Sequence, residues 1–164
     1  MFHLKIATKD DKDISIKFIM QARKILFPML DHSTLPKDLA NFEQSYIESD
    51  NGCWINYYDE DKLIATIAFV EFDFRFKDLD LDVNKRTVEV LKLYVDPLYR
   101  RQGIATLLFN ELKKIAKERS IQILYLHTHD FLTGAQKLWE KCGFSVIKKN
   151  DSNWATVHMV LELA

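Results

Sequence analysis

The spacing of apolar residues along the chain switches between two periods, and each period predicts one kind of element. Short alternating or continuous apolar runs predict strands at residues 4–7, 53–58, 63–73, 88–95, 122–128, 144–148 and 155–161. Apolar residues three and four positions apart predict helices at 12–27, 36–48, 104–120 and 135–142. Polar segments connect these elements, including a charged stretch at 74–86 and a hairpin turn at 150–153. We therefore expect an α/β fold with a mixed sheet.

The most informative stretch joins the strand at 88–95 to the helix at 104–120. The turn between them contains Asp96-Pro97, two arginines and Gly103. The first N–H groups of a helix have no intrahelical partners, and the helix dipole adds partial positive charge at the same place. A strand, a tight turn and a helix start in this order therefore predict a phosphate-binding site. Taken alone, Arg-Arg-Gln-Gly also fits a solvent-exposed turn before a helix.

Size and composition limit the classes of protein that fit. The chain has 164 residues, of which 48% are hydrophobic and 29% charged, and this is typical of one globular domain, here residues 1–164. The net charge of −1 gives no sign of a general nucleic-acid or membrane-surface binder. Cys53 and Cys142 are too distant for a disulfide framework or a zinc ribbon, and they suit a reducing compartment. Since no signal-peptide pattern or bilayer-length apolar run is present, we expect a cytoplasmic protein.

Two motifs resemble the landmarks of the GNAT N-acetyltransferase superfamily. Residues 100–105, RRQGIA, fit its signature Gln/Arg-x-x-Gly-x-Gly/Ala, which follows an apolar strand. Residues 135–144, AQKLWEKCGF, resemble its second landmark, a helix that ends in Lys-x-Gly-Phe. The order of predicted elements from about residue 3 to 162 is also similar to that of the superfamily.

The resemblance implies a mostly antiparallel sheet flanked by helices, with a parallel central pair, 88–95 and 122–128, that splays apart. It implies acetyl-CoA as the acyl donor, no metal, and a small-molecule or peptide amine as the acceptor. The pantetheine arm would bond to the backbone of Leu93, Tyr94 and Val95. The pyrophosphate would lie against Arg100, Arg101, Gln102, Gly103, Ile104, Ala105 and Thr106. The expected activity is N-acetyltransferase; a non-catalytic acyl-CoA-binding module is the alternative, and a homodimer is left open.

Glu89 is the predicted general base. It lies between two valines in an apolar strand, where a carboxylate needs a partner or a proton, and this setting suits a group that deprotonates an ammonium. Some family members place their base six residues before the last valine of this strand, as Glu89 is placed before Val95. The alternative is structural, since Glu89 could instead pair with Arg86 or with a lysine of a neighbouring strand.

Trp139 stands where many family members carry a tyrosine that protonates the leaving thiolate. An indole N–H donates hydrogen bonds but is no acid near neutral pH. We therefore predict that Trp139 is a core residue that also walls the thioester pocket. The candidates for the acid are Tyr94, Tyr125, His127 and water. Leu132 is a second departure, because it replaces a common asparagine of the family.

His127, at the end of the 122–128 strand, is the second predicted catalytic residue, since histidine is the commonest acid–base side chain. His129 shares its face of the strand, but a metal site would need a third ligand. The acids of 78–82 mimic the spacing of a calcium loop, yet Val83 stands where that loop requires glycine, so we exclude calcium. This acidic run is interpreted as a solvated loop or as a rim that attracts a cationic amine.

Overall fold

The computed structural model describes residues 1–151 and 154–164. Within these residues, seven strands form one sheet in the order β1-β2-β3-β4-β5-β7-β6. The strands are β1 (Phe2–Ile6), β2 (Cys53–Asp59), β3 (Lys62–Glu71), β4 (Thr87–Val95), β5 (Ile123–His129), β6 (Ser145–Lys149) and β7 (Thr156–Glu162). The α-helices are α1 (Lys12–Leu26), α2 (Lys37–Ala40), α3 (Ile104–Glu118) and α4 (Ala135–Lys141). Only β4 and β5 pair in parallel among these strands, which confirms the predicted mixed sheet.

Helices cover both faces of the sheet, and the alternation of side chains along the strands assigns each residue to a face. Val88 and Val90 of β4 and Leu126 of β5 are buried in one cluster with the apolar side of α3. α1 and α2 cover the opposite face. Glu89 and His127 lie next to these residues in sequence, so their side chains point toward the face of α1.

The parallel pair separates partway along the sheet. β4 and β5 are paired at three positions, the last being Glu89 opposite Tyr125. Beyond that point β4 contains a β-bulge at Lys92, whose φ is +62°. The hydroxyl of Thr66 in β3 donates a hydrogen bond of 2.8 Å to the Lys92 carbonyl and holds this bulge in place. Because a bulge bends and twists its strand, it turns β4 away from β5 and opens the predicted gap.

The predicted helix at 36–48 is wrong in its form. The structure has the four-residue α2, then a π-helical turn at Glu43–Ile47, closed by a bond from Glu48 N–H to the Glu43 carbonyl. The break lies at Asn41, whose side-chain amide donates to the Lys37 carbonyl at 2.9 Å and competes with the helix. The expected apolar face survives the break, because Leu39, Phe42 and Tyr46 are all buried.

The segment 74–86, predicted as a charged stretch, keeps the acids of 78–82 exposed and also packs apolar side chains against the sheet. The ring of Phe72, just before it, lies 4.4 Å from that of Tyr125, and the ring of Phe76 lies 6.0 Å from the same tyrosine. Leu79, between two aspartates, is 8% exposed. Asp78 forms an ion pair with Lys148. Although the segment is rich in charged residues, aromatic contacts with Tyr125 of β5 and the ion pair with Lys148 of β6 hold it against the sheet.

The remaining elements follow the prediction closely. After α4, Gly143 has φ +102°, and Phe144 N–H donates to the Trp139 carbonyl at 3.0 Å, which is the predicted helix C-cap. The hairpin between β6 and β7 closes through Asn150 N–H and the Thr156 carbonyl at 2.8 Å. The predicted turn residues Ser152 and Asn153 lie outside the described part of the chain. None of the helices in 1–151 and 154–164 combines the length and apolar character that a membrane span requires.

Candidate active site

The turn between β4 and α3 is the predicted anion-binding site, which we call the cradle. Arg101 and Gly103 have φ of +63° and +76°, so the turn contains two residues in the left-handed region before the helix begins. The first bond within α3 runs from Leu107 N–H to the Gly103 carbonyl at 3.0 Å. The N–H groups of residues 104–106 precede that bond, so they have no partner within the helix and lie at the positive end of its dipole. A Cβ built on Gly103 meets no atom within 4 Å, so the backbone here faces open space.

Arg100 contributes to this region in a way that the sequence did not predict. Its Nε donates a 3.0 Å hydrogen bond to the Val95 carbonyl, and its guanidinium lies 5.3 Å from the centre of the Tyr94 ring. Arg100 therefore fixes the end of β4 as well as adding positive charge beside the cradle. The side chains of Arg101 and Gln102 are exposed next to it.

The backbone of β4 offers polar groups to the gap. Asp96 N–H donates to the Ile64 carbonyl of β3 at 2.8 Å, so it points away from β5. Successive N–H groups of a regular strand point to alternate edges, and that of Val95 therefore faces the gap. The N–H of Tyr94, which was also predicted to bond to a pantetheine arm, faces β3 by the same alternation.

A cavity of about 450 Å³ passes through the sheet at the gap. Five of the predicted site residues line it, namely Glu89, Leu93, Tyr94, His127 and Trp139. Val95 and the predicted residues from Arg100 to Thr106 are not part of its lining and lie at the end of β4 and the start of α3. The structure therefore divides the predicted site into a cradle and a through-sheet cavity.

Glu89 is 5% exposed and is held by an arginine from the 74–86 segment. Arg75 donates to both of its carboxylate oxygens, at 2.8 and 3.0 Å, and to Asp73 at 2.9 Å. The predicted structural partner, Arg86, is instead bonded to Asn51 at 2.6 Å and to backbone carbonyls. Glu89 is therefore paired, as the structural alternative predicts, but its partner is Arg75 and not Arg86.

Sequence reasoning missed Arg75. Its guanidinium lies 4.5 Å from the centre of the Phe76 ring and 5.9 Å from that of Phe72. Burial lowers the pKa of Arg75, but hydrogen bonds and charge from Glu89 more than offset it, so this pKa lies above its usual value. The signal in the sequence is the pattern Phe-Asp-Phe-Arg-Phe at 72–76, in which aromatic residues flank one cation.

His127 lies beside Glu89, with 3.4 Å between its Nδ1 and the Oε2 of the carboxylate. Burial, followed by the charge of Arg75, lowers the pKa of His127 to about 4. The ring is therefore neutral at pH 7, and its contact with Glu89 is not an ion pair. A neutral imidazole keeps one ring nitrogen that can accept a proton.

The candidates for a general acid are placed differently. The hydroxyl of Tyr125 is buried and lies 2.6 Å from Nδ1 of His158. Burial, with the charge of Glu89, raises the pKa of Tyr125 above its usual value and makes it a weaker acid. Trp139 packs its ring 5.7 Å from Phe109 and 5.5 Å from Phe144, and it also lines the cavity, as the prediction of a core residue and pocket wall requires.

A second, polar groove of about 660 Å³ meets the cavity at Arg75, Glu89 and Leu91. Most of its lining is hydrophilic, and it includes Asp38 and Asp73. Glu89 therefore stands between an apolar cavity and a polar groove. Among the described residues, no group of three or more His, Cys, Asp or Glu side chains could hold a metal ion.

Comparisons with known proteins agree with this geometry. Residues 17–144 match the sequence model of the Acetyltransferase (GNAT) family. Human N-acetyltransferase 8 is 25% identical over 140 residues, which are 79% of this chain and 58% of that protein. Rat N-acetylaspartate synthetase is 27% identical over 146 residues, or 87% of this chain and 44% of that protein. This chain thus spans only about half the length of these two relatives.

Solved structures share the fold over the whole chain. A GNAT acetyltransferase from Staphylococcus aureus Mu50 has a TM-score of 0.78 at 23% identity and covers 100% of both chains. Arabidopsis thaliana NAA60, solved in complex with acetyl-CoA, has a TM-score of 0.73 at 17% identity and covers 99% of both chains. With the family match over 17–144, the splayed parallel pair and the glycine cradle, the chain belongs to the GNAT acetyltransferase family.

Proposed function

We propose that this protein is an acyl-CoA-dependent N-acyltransferase that transfers acetyl from acetyl-CoA to a primary amine by direct attack. One observation carries the proposal: β4 and β5 separate beyond Glu89, on the same side of the sheet as the start of α3. The cradle is thus placed to bind the phosphates of an acyl-CoA, and the gap is placed to bind its thioester end. The names of the relatives and the acetyl-CoA complex of one structural neighbour support the same cofactor.

The cradle would hold the pyrophosphate through the N–H groups of residues 104–106, with positive charge from Arg100 and Arg101. Gly103 lets the backbone approach the phosphates because no side chain stands in the way. The N–H group of Val95 would bond the pantetheine arm and place the acyl carbonyl in the gap. Acetyl-CoA supplies the electrophilic carbonyl carbon and a thiolate leaving group.

We assign removal of the ammonium proton to Glu89, directly or through a water, with His127 beside it. Arg75 orients the Glu89 carboxylate by donating hydrogen bonds to both of its oxygens. Neutral His127 lies 3.4 Å from this carboxylate and would relay the proton onward to solvent rather than retain it. The neutral amine then forms a bond to the carbonyl carbon, and backbone N–H groups at the end of β4 would hold the oxyanion. Positioning by the two separated strands would supply a further part of the rate.

The departing sulfur needs no dedicated side-chain acid in this proposal. When the tetrahedral intermediate collapses, the attacking nitrogen gives its second proton to water, the C–S bond breaks, and the electron pair leaves with sulfur as a thiolate. An ordinary thiol has a pKa of about 8.5, so its thiolate is a moderately good leaving group that water can protonate. This fits a site in which Trp139 occupies the position of the usual acid and Tyr125 is held by His158.

The alternative is a non-catalytic acyl-CoA-binding module, which the tryptophan at position 139 favours. The deciding experiment is a thiol-release assay with acetyl-CoA over a library of primary amines, run beside a thermal-shift titration with acetyl-CoA. Thiol release that depends on one class of amine supports the transferase. Stabilisation without thiol release from any amine supports the module, and absence of both contradicts the proposed cofactor.

A further inference from the structure

The half of the through-sheet cavity that faces α1 differs from the rest of the site because its wall is apolar. Six residues of α1, α2 and the segment between them form it, and we call this set the apolar wall: Ile19, Ala22, Leu26, Phe27, Leu30 and Leu39. Arg75, Glu89 and Lys92 bring charge to the cavity from the 74–86 segment and β4. Beside the apolar wall itself lies Arg23, whose Nη1 bonds to the Asp31 carbonyl at 3.1 Å and lies 2.9 Å from His32 Nδ1. That guanidinium therefore serves to fix the segment after α1.

The apolar surface continues outward at the rim of the cavity. Phe27 lies 5.8 Å from the ring of His129 and 6.0 Å from that of Phe131, and His129 stacks on Phe131 at 5.2 Å. Phe131 and Met29 are 43% and 62% exposed. Large apolar side chains left exposed beside a cavity are typical of a surface that a ligand covers.

A second observation comes from Tyr94, which also lines the cavity. Tyr94 is 7% exposed, and its hydroxyl is the one buried side-chain polar atom without a hydrogen-bond partner among the described residues. A buried hydroxyl without a partner is costly, so a group in the bound state that pairs with it gains free energy. A ligand that fills the cavity beside the Tyr94 ring and reaches this hydroxyl would therefore gain a hydrogen bond.

We infer that the acceptor is an amine that carries an apolar chain or ring, which lies against the apolar wall while the Tyr94 hydroxyl bonds to a polar atom near its reacting end. The inference rests on the proposed function. The amine must approach from the face of Glu89 and His127, and α1 covers that same face. The chain or ring attached to the amine nitrogen, rather than any part of acetyl-CoA, is therefore expected to contact the apolar wall. The rest of the cavity, near Trp139 and Leu138, is left to the pantetheine arm.

The test compares two series of reactions. In the first the amine is varied while acetyl-CoA is the donor, and in the second the acyl chain of the donor is varied while the amine is kept the same. With acetyl-CoA, kcat/KM should rise about fourfold per methylene from ethylamine to hexylamine, because each buried methylene contributes transfer free energy. With one fixed amine, lengthening the acyl chain of the donor should give no such rise. A rise in the acyl series alone, or equal values along the amine series, overturns the inference while thiol release itself still supports the transferase. Absence of thiol release with every amine overturns the proposed function instead.

Two variants sharpen the result. Leu30→Trp narrows the cavity from a segment outside the core, and it should abolish the gain with chain length while ethylamine is still acetylated. Ile25→Trp, on the outer side of α1 at 66% exposure, is the matched control and should keep the gain.

Tyr94→Phe tests the hydroxyl. The free protein should be as stable as the wild type or more so, since an unpaired buried group is removed, yet kcat/KM should fall about tenfold. A residue that only supported the fold would lower stability as well. An unchanged kcat/KM in Tyr94→Phe contradicts the assigned contact.

Discussion

The two halves of the candidate active site are built in opposite ways. The cofactor half consists of consecutive residues, from Leu93 to Thr106, and it offers mainly backbone N–H groups at an exposed turn. The proton-handling half consists of side chains from separate elements: the exposed Arg75 from the 74–86 segment, the buried Glu89 from β4 and the half-buried His127 from β5. A local motif is thus proposed to bind the cofactor, while contacts between distant parts of the chain position the ionisable side chains.

This difference decides which changes should affect binding and which should affect chemistry. Backbone groups keep their positions when a neighbouring side chain is replaced, so the cofactor half should tolerate most substitutions other than at glycine. Side chains in the proton-handling half share partners, so one replacement should alter the others. Four changes test this contrast, from the largest expected effect to the smallest.

Glu89→Gln should lower kcat/KM by about a hundredfold or more, because a general base contributes 10²–10⁴ and the amide cannot accept the proton. Affinity for acetyl-CoA should stay the same, since the cradle is separate. Asp73→Asn is the control: it also bonds to Arg75 but is 61% exposed in its side chain, and it should change kcat/KM less than about threefold. An unchanged rate and pH profile in Glu89→Gln would remove Glu89 from the mechanism.

His127 should make the fold sensitive to acid. Its pKa is lowered to about 4 in the folded protein, while an unfolded chain has a histidine pKa of about 6.5. The unfolded state therefore binds more protons between these values, and stability is lost as the pH falls through that window. The loss should amount to about 2–3 kcal/mol.

Denaturant unfolding of the wild type and His127→Gln at pH 7 and pH 4.5 measures this loss. The variant should lose less stability than the wild type on acidification, and His3→Gln on β1 is the control. Equal losses in the wild type and His127→Gln would show that His127 titrates normally.

Arg75→Met should destabilise the protein by about 2 kcal/mol, because it leaves the Glu89 charge buried without its partner. The cost is below that of a fully buried pair, since the Arg75 side chain is 41% exposed. Adding Glu89→Gln to this variant should restore most of the stability, and Arg101→Met should change it by less than about 0.5 kcal/mol. Additive losses in the double variant would mean that the two side chains are not coupled.

Gly103→Ala should have the smallest effect on the fold, about 1 kcal/mol for an alanine at φ +76°. Its affinity for acetyl-CoA should nevertheless fall about tenfold, because the new methyl group stands between the backbone and the phosphates. Gly134→Ala has φ +83° and equally open space around the added Cβ, so it should cost similar stability without changing affinity. Equal affinities in the two variants would contradict a cradle at Gly103.

The cofactor half could be predicted from the sequence because its information is local. The strand, the turn and the amphipathic helix follow one another within residues 88–120, and the positive φ of Gly103 follows from the turn that this order requires. The same locality explains why the C-cap at Gly143 was predicted correctly. The gap itself was expected only from the family resemblance, since no residue pattern reveals the bulge at Lys92.

The proton-handling half could be predicted only in part. Glu89 and His127 stood out as polar residues in apolar strands, but Arg75 did not, because its contact with Glu89 depends on how the 74–86 segment folds back. The charged residues of that segment suggested solvation, whereas Phe72 and Phe76 determine its path. The length of the helix predicted at 36–48 was wrong for a similar reason. Asn41 interrupts it by a side-chain hydrogen bond, which the spacing of apolar residues does not reveal.

Thermal denaturation with acetyl-CoA tests the central claim most directly, because the cradle and the gap are proposed to bind this thioester before any chemistry. At about a hundredfold excess over the dissociation constant, acetyl-CoA should stabilise the wild-type protein by about 2.7 kcal/mol. Gly103→Ala should need a higher concentration for the same shift. No stabilisation of the wild type by acetyl-CoA or CoA at millimolar concentration would contradict the account.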